Sequence, residues 1–186
     1  MAKGEVRRRM VATAARLLAE NGPGGASFGD VLKASGASRG STYHHFPDGK
    51  REMYAAALDL ASGRAFAALE GVRGRSAAEV VEAFFAMWRG LLTTTDLRLG
   101  CAVLAVAVAG EDSDSIAHSG HIFATWRAQL QSRFVESGAS ADRAHSLAAL
   151  TIASAEGAVA IARAEKSIAS FELVASEVAD LARAID

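Results

Sequence analysis

Forty-two alanines stand against two prolines, Pro23 and Pro47, and few runs of β-branched residues, a balance that favours helix over sheet. It argues against a β-sandwich or barrel. With 186 residues, 51% of them apolar, the chain can bury a core without disulfide or metal staples and form one or two compact domains. A single cysteine, Cys101, allows neither an internal disulfide framework nor a Cys-rich zinc site, so a reducing compartment, the cytoplasm, is expected.

The N-terminal stretch is basic and then alternates apolar with polar residues, without the apolar core and cleavage signal of a secretory peptide. The most apolar run, Gly100 to Gly110, is flanked by Arg98 and Glu111 and is far shorter than the roughly 20 residues of a membrane span. It is expected to be a buried helix, and no membrane partner is expected. Charge is segregated along the chain. Residues 1 to 51 carry nine Lys and Arg against four Asp and Glu, whereas residues 52 to 186 carry eleven against seventeen. A small basic segment joined to a larger acidic one suits a first part that meets an anion such as nucleic acid.

Val6, Met10, Ala14 and Leu17 fall on one helical stripe, and Asn21-Gly22 supplies a stop, giving a helix over about 5 to 20. Ser27 with Asp30 forms a capping-box pattern for a short helix over 28 to 35, ended by Gly36. Ser38 can cap another over 39 to 45, which must close ahead of Pro47. Two short helices around a Gly-containing turn make a helix-turn-helix pattern, the second member being the recognition helix. Longer helices follow at about 49 to 71, 76 to 93 with a Ser76/Glu79 capping box, 99 to 110, 114 to 136, 140 to 165 and 170 to 185.

On a helical wheel Thr42, His45 and Phe46 share the sector that faces the core, while Gly40 and His44 lie opposite, flanked by Arg39, Ser41 and Tyr43. The outward face offers a cation, hydroxyls, an imidazole and a gap. A helical glycine costs roughly 1 kcal/mol relative to alanine, and close approach to a phosphate or base edge gives that cost a reason; a surface glycine in a frayed helix is the other reading. Arg7, Arg8 and Arg9 fan over the exposed sides of the first helix, so that one or two could meet a duplex; a solvated charge run is the other reading.

Residues 10 to 53, with the run GSTYHHFPDGKREM, resemble the DNA-binding domain of the tetracycline-repressor (TetR) family. Gly36, Gly40, Tyr43, His45, Phe46 and Lys50 match its pattern in order and spacing, and the run from Gly100 to Ala107 is similar to the LmrA/YxaF-type subgroup. Thr42 departs from the pattern, where the family usually places a larger apolar residue. The resemblance implies phosphate contacts from Tyr43 and Lys50, and a major-groove face formed by Arg39, Gly40 and His44. Arg39 is the candidate for base readout, since a guanidinium bridges guanine O6 and N7. Ser27, Ser38 and Ser41 are further candidate contacts at helix starts.

The remaining 130 or so residues need their own explanation. Leu147, Leu150, Thr151, Ser154, Ala158 and Ile161 form one stripe that includes small residues, and Phe171, Val174, Val178 and Leu181 form a second, apolar one. Two such helices from each subunit could pack as a four-helix bundle, the homodimer that the resemblance implies; intramolecular core is the alternative. The resemblance also implies an inducer enclosed by helices 4 to 8. Candidate wall residues are Phe66, Phe84, Trp88, Leu104, Val108, Phe123, Trp126 and Ile152. Glu156, an acid in an apolar helix, is expected either to meet a ligand or to pair across the dimer with an arginine such as Arg163. His118, His121 and Asp114 can share a helix face and so form a candidate metal set, a hydrogen-bonded or solvent-facing pair being the other reading.

No Gly-rich phosphate loop, Gly-x-Ser-x-Gly elbow or dense acid/base cluster points to an enzyme. The expectation is thus an all-α chain of about nine helices. Residues 1–50 form a three-helix helix-turn-helix DNA-binding domain, and residues 51–186 a helical effector-binding and dimerisation domain, with the boundary at the helix that starts near Lys50. The chain would be a repressor released from a partly palindromic operator by a small, largely apolar effector, with no cofactor and no metal. A helical ligand- or partner-binding module without sequence-specific DNA binding is the rival reading.

Overall fold

The computed structural model describes residues 3–184; the side chains of 3 and 41–43 lie outside that description. Among the described residues there are nine α-helices and one short 3-10 turn, and no strand. The helices are α1 (Lys3–Asn21), α2 (Phe28–Ser35), α3 (Arg39–His45), α4 (Lys50–Glu70), α5 (Ala77–Thr94), α6 (Ala102–Ala109), α7 (Ser113–Glu136), α8 (Ala141–Glu165) and α9 (Ala169–Arg183). The 3-10 turn, Pro23–Gly25, joins α1 to α2.

Local chemistry sets most of these boundaries. Ser27 and Asp30 form a reciprocal capping box at α2, as do Ser76 and Glu79 at α5, satisfying amide groups that a helix start leaves orphaned. Asp30 and Glu79 are each held below the usual carboxylate range, chiefly by hydrogen bonds with the capping serine. Gly36 ends α2 in the left-handed region at φ 65°, a conformation that costs a side-chain-bearing residue energy.

The backbone divides into two compact units. One holds the chain up to Ser62 together with Cys101–Ile122, and the other holds Gly63–Gly100 together with the chain from Phe123 onward. These packing units therefore do not follow a cut at 50/51: the first takes in α6 and the beginnings of α4 and α7. Its core is built from Met10, Leu18, Val31, Phe46, Met53, Tyr54, Leu58 and Val106. Tyr54 reaches the 3-10 turn, donating to the Pro23 carbonyl at 3.0 Å with the Ala26 carbonyl at 3.3 Å.

The helix expected over 99 to 110 is shorter, and it is buried along one side only. Ala102, Val103 and Val106 face inward, whereas Val108 is 78% exposed, because an eight-residue helix lying on a core offers it a single face.

In the second unit α5, α8 and α9 pack on one another around Val81, Phe84, Phe85, Trp88, Trp126, Phe134, Leu147, Val159 and Phe171. Small side chains on α8 permit the close approach: Ala144, Ala148, Ala155, Ala158 and Ala162 are all buried. By length and composition α8 could cross a membrane, but half of its most apolar stretch is buried inside the protein, as in a core helix.

Candidate nucleic-acid interface

The second member of the helix-turn-helix presents Arg39, Gly40 and His44 at the surface, with Ser38 exposed just ahead of it. Phe46 is fully buried and lies 6.4 Å from the Phe28 ring, and His45 is half-buried. The inward sector expected from the wheel is therefore occupied as far as it can be followed; Ser41, Thr42 and Tyr43 lie outside the described side chains. Among the described residues, a Cβ added at Gly40 would meet nothing within 4 Å. The protein's own packing does not require glycine there.

Ser27 is exposed, but its hydroxyl is engaged in the α2 capping box, donating to Asp30 Oδ2 at 2.5 Å. The Lys50 ammonium lies 3.6 Å from Glu111 and 5.0 Å from the centre of the Tyr54 ring. Its neighbour Arg51 pairs with Asp114. Burial pushes the Tyr54 hydroxyl above its ordinary range, partly opposed by Lys50.

One cation of the α1 fan, Arg7, makes contacts that the reading of the sequence did not foresee. Arg7, half-buried, donates from Nε to the His45 carbonyl at 3.4 Å and from Nη2 to Glu52 Oε1 at 3.2 Å. Its guanidinium carbon lies 5.1 Å from the centre of the Phe46 ring. Arg8 stays exposed, so the three arginines do not form one equivalent fan. A wheel shows which side of α1 carries Arg7, but not that the end of α3, 38 residues later, meets it.

The other expected sites are distributed as follows. Phe84, Trp88, Trp126 and Ile152 are buried in the second unit, and Phe66 and Phe123 are half-buried there. Around Trp126 the rings of Phe123, Phe84 and Trp88 stand at 5.5, 6.4 and 6.5 Å, edge to face. The indole nitrogens of Trp88 and Trp126 are buried without a hydrogen-bond partner among the described residues. Leu104, half-buried, and the exposed Val108 belong to the first unit. A groove of about 670 Å³ between α5 and α9 contains none of these eight residues.

The stripes on α8 and α9 divide in the same way. Leu147, Thr151, Ala158, Phe171 and Val178 are buried within the unit, so their apolar surface is already used against α5 and each other's helices and is not free for a partner. Phe171 packs on Phe85 at 5.5 Å. Ser154 and Val174 are half-buried, and Leu150, Ile161 and Leu181 are exposed. Glu156 is buried on α8, and Arg163 donates to the Arg98 carbonyl at 2.9 Å. The His118 ring is 2.8 Å from Asp59 and Asp114 is paired with Arg51. Among the described residues no group of three or more His, Cys, Asp or Glu is placed to hold a metal ion.

Comparison with known proteins gives this geometry a context. Residues 10–57 match the family model for bacterial regulatory proteins of the tetR family, and residues 77–177 match that for the C-terminal domain of LmrA/YxaF-like transcriptional regulators. The chain belongs to the TetR family of transcriptional regulators. It is 36% identical over 182 residues to Rv0196 of Mycobacterium tuberculosis, an uncharacterized HTH-type transcriptional regulator, covering 94% of this chain and 93% of that one. It is 24% identical to the HTH-type transcriptional regulator LmrA of Bacillus subtilis, over 97% of this chain and 98% of that one. Among solved structures, a TetR transcriptional regulator from Chloroflexus aurantiacus superposes with a TM-score of 0.77 at 26% identity, covering 96% of this chain and 94% of that one. A TetR-family regulator from Agrobacterium tumefaciens shares the fold with a TM-score of 0.83 at 18% identity, over 97% and 99% of the two chains. This TetR-family chain is thus a DNA-binding transcription regulator and not an enzyme.

Proposed function

We propose that this regulator is a cytoplasmic homodimeric repressor that leaves a partly palindromic operator when a small, largely apolar effector binds. The observation that carries the effector half is the aromatic cluster around Trp126, where two buried indole donors lack partners among the described residues. Native proteins seldom leave such donors unsatisfied. An effector that combines ring surface with hydrogen-bond acceptors would match both the rings and the donors. Phe66, Phe84, Trp88, Phe123, Trp126 and Ile152 would contact it. Release from DNA then requires tighter effector binding to the DNA-free form.

The reading half rests on Arg39, Gly40 and His44 facing outward together. Two such heads in a dimer would meet two half-sites about one helical turn apart, roughly 34 Å. Ser38, Ser41, Tyr43 and Lys50 would add phosphate contacts, Lys50 by exchanging Glu111 for DNA; Ser27 would do so only by releasing Asp30. Leu150, Ile161 and Leu181 supply exposed apolar surface for the partner.

The test exploits the fact that the chain has only two tryptophans, both in the cluster. Apolar compounds are titrated while tryptophan emission is followed, and each that binds is added to the protein on DNA from upstream of its own gene. A compound that both changes the emission and releases the DNA supports the proposal. Compounds that bind at the tryptophans yet all leave DNA affinity unchanged refute it.

A further inference from the structure

We infer that Arg7 is a positioning residue for DNA reading, which fixes the pose of the recognition helix α3 from its C-terminal end without touching phosphate itself. This rests on α3 as the reading helix. The helix has only seven residues, too few to be stable by its own hydrogen bonds, and it carries Gly40 within it. Its orientation must therefore come from what packs against it, at its inward face through Phe46 and at its ends.

Arg7 holds one end by three contacts at once. Its Nε meets the carbonyl of His45, the last residue of α3, where a cation also opposes the negative end of the helix dipole. Its Nη2 meets Glu52, in the first turn of α4, and its guanidinium lies against Phe46 in the intervening corner. Glu52 also faces that corner, with Oε2 3.4 Å from the Asp48 amide nitrogen. A planar fork bonded to both sides of a corner fixes the angle between the two helices in a way that a single point charge does not.

The geometry makes that angle matter. Arg39 lies six residues before His45, about 9 Å along the axis, so a tilt of roughly 10° carries its backbone about 1.5 Å. The distances over which a hydrogen bond keeps its strength span only about 0.5 Å. Loosening the corner thus degrades base contacts that Arg7 never makes.

The full-length protein is tested on a duplex that it selects from a random-sequence library and on a shuffled duplex of the same composition, each across a salt series. The variants are Arg7→Gln and Glu52→Gln. Expected for Arg7→Gln is a loss of about tenfold on the selected duplex, with shuffled-duplex affinity within about twofold and the salt slope unchanged. Glu52→Gln is expected to weaken selected binding in the same direction, by about threefold, although it removes a negative charge. Both thermal midpoints should stay within about 5 °C of the wild type.

A phosphate contact makes the opposite predictions. Arg7→Gln would then weaken both duplexes alike and lower the salt slope by about 0.9 per subunit, about 1.8 for the dimer, and Glu52→Gln would tighten binding. Either result overturns the inference, as does unchanged selectivity in both variants. If Arg7→Gln does not fold, the sign of the Glu52→Gln effect decides. A wild-type protein that enriches no duplex removes the reading of α3, and the inference with it.

Discussion

At Gly40 stability and function are expected to move in opposite directions. An added methyl group meets nothing within 4 Å, and alanine is the better helix former, so Gly40→Ala should raise folding stability by at most about 1 kcal/mol. If DNA approaches the backbone there, the same methyl group should lower affinity for the selected duplex by about tenfold or more. Thermal unfolding and DNA titration of one sample read both effects; a variant that binds as well as the wild type rules out the close approach. Arg39→Ala should instead cost discrimination, about 1–3 kcal/mol between the selected and shuffled duplexes. Retained affinity with retained discrimination would refute its assignment to base readout. Gly36, Gly40 and Phe46 were legible in the sequence because turn geometry and helix phase are local properties. Arg7 and Tyr54 were not, because their partners lie 38 and 31 residues away and no periodicity links them.

Between α5 and α9 the packing of Phe85 on Phe171 is accompanied by a two-pronged ion pair, Arg89 Nε and Nη2 to the two carboxylate oxygens of Glu172, both at 2.6 Å. The Arg89 guanidinium holds the Glu172 carboxyl below its ordinary range, opposed by desolvation. The native value is therefore below the unfolded one, and the pair contributes stability that is fully present above the unfolded value, near 4.3. That contribution is lost as pH falls through the depressed native value. Both side chains are 40% exposed, so solvent screening limits it to about 0.5–1 kcal/mol. Glu172→Gln should lower the unfolding free energy by that amount at pH 7, and the difference should vanish as pH falls through the depressed native value. Denaturant titrations at pH 7 and across the acid range check this, and a difference that persists at low pH would assign the effect to packing. At this scale the sequence was informative where caps mark the ends: α2 and α3 have the expected bounds, and both capping boxes are present. Its reading of α6 was less good. Asp96 and Leu97 take the left-handed region at φ 51° and 58°, and the Leu97 amide closes on the Leu92 carbonyl at 2.8 Å. The next helix begins only after Cys101, whose Sγ accepts from the Leu104 amide. Neither asparagine nor glycine stands in that turn to announce it.

Two discontinuous packing units give the whole molecule an organisation that linear composition did not disclose. The charge asymmetry located the basic reading segment, but α6 and the first half of α7, drawn from the acidic remainder, pack with it. Pairs such as Lys50 with Glu111 and Arg51 with Asp114 explain how acidic residues distant in sequence accompany that segment. The proposed dimer is best tested on the part of the seam that the protomer leaves free. Leu150 and Ile161, eleven positions and about three turns apart on α8, are 42% and 45% exposed. Replacing both with glutamate should change the stability of an isolated subunit by about 1 kcal/mol or less. It would, however, place two uncompensated charges on each side of an isologous interface, where every substitution acts twice. The expected result is half the sedimentation mass. Affinity for a duplex with two half-sites should fall by about a hundredfold or more, because the second head no longer binds at high effective concentration, while affinity for a single half-site stays the same. A double variant that still sediments as a dimer would move the seam off this face of α8. A monomer that keeps full affinity for the two-site duplex would mean that the heads read DNA independently, and the requirement for a matched head spacing would fall with it.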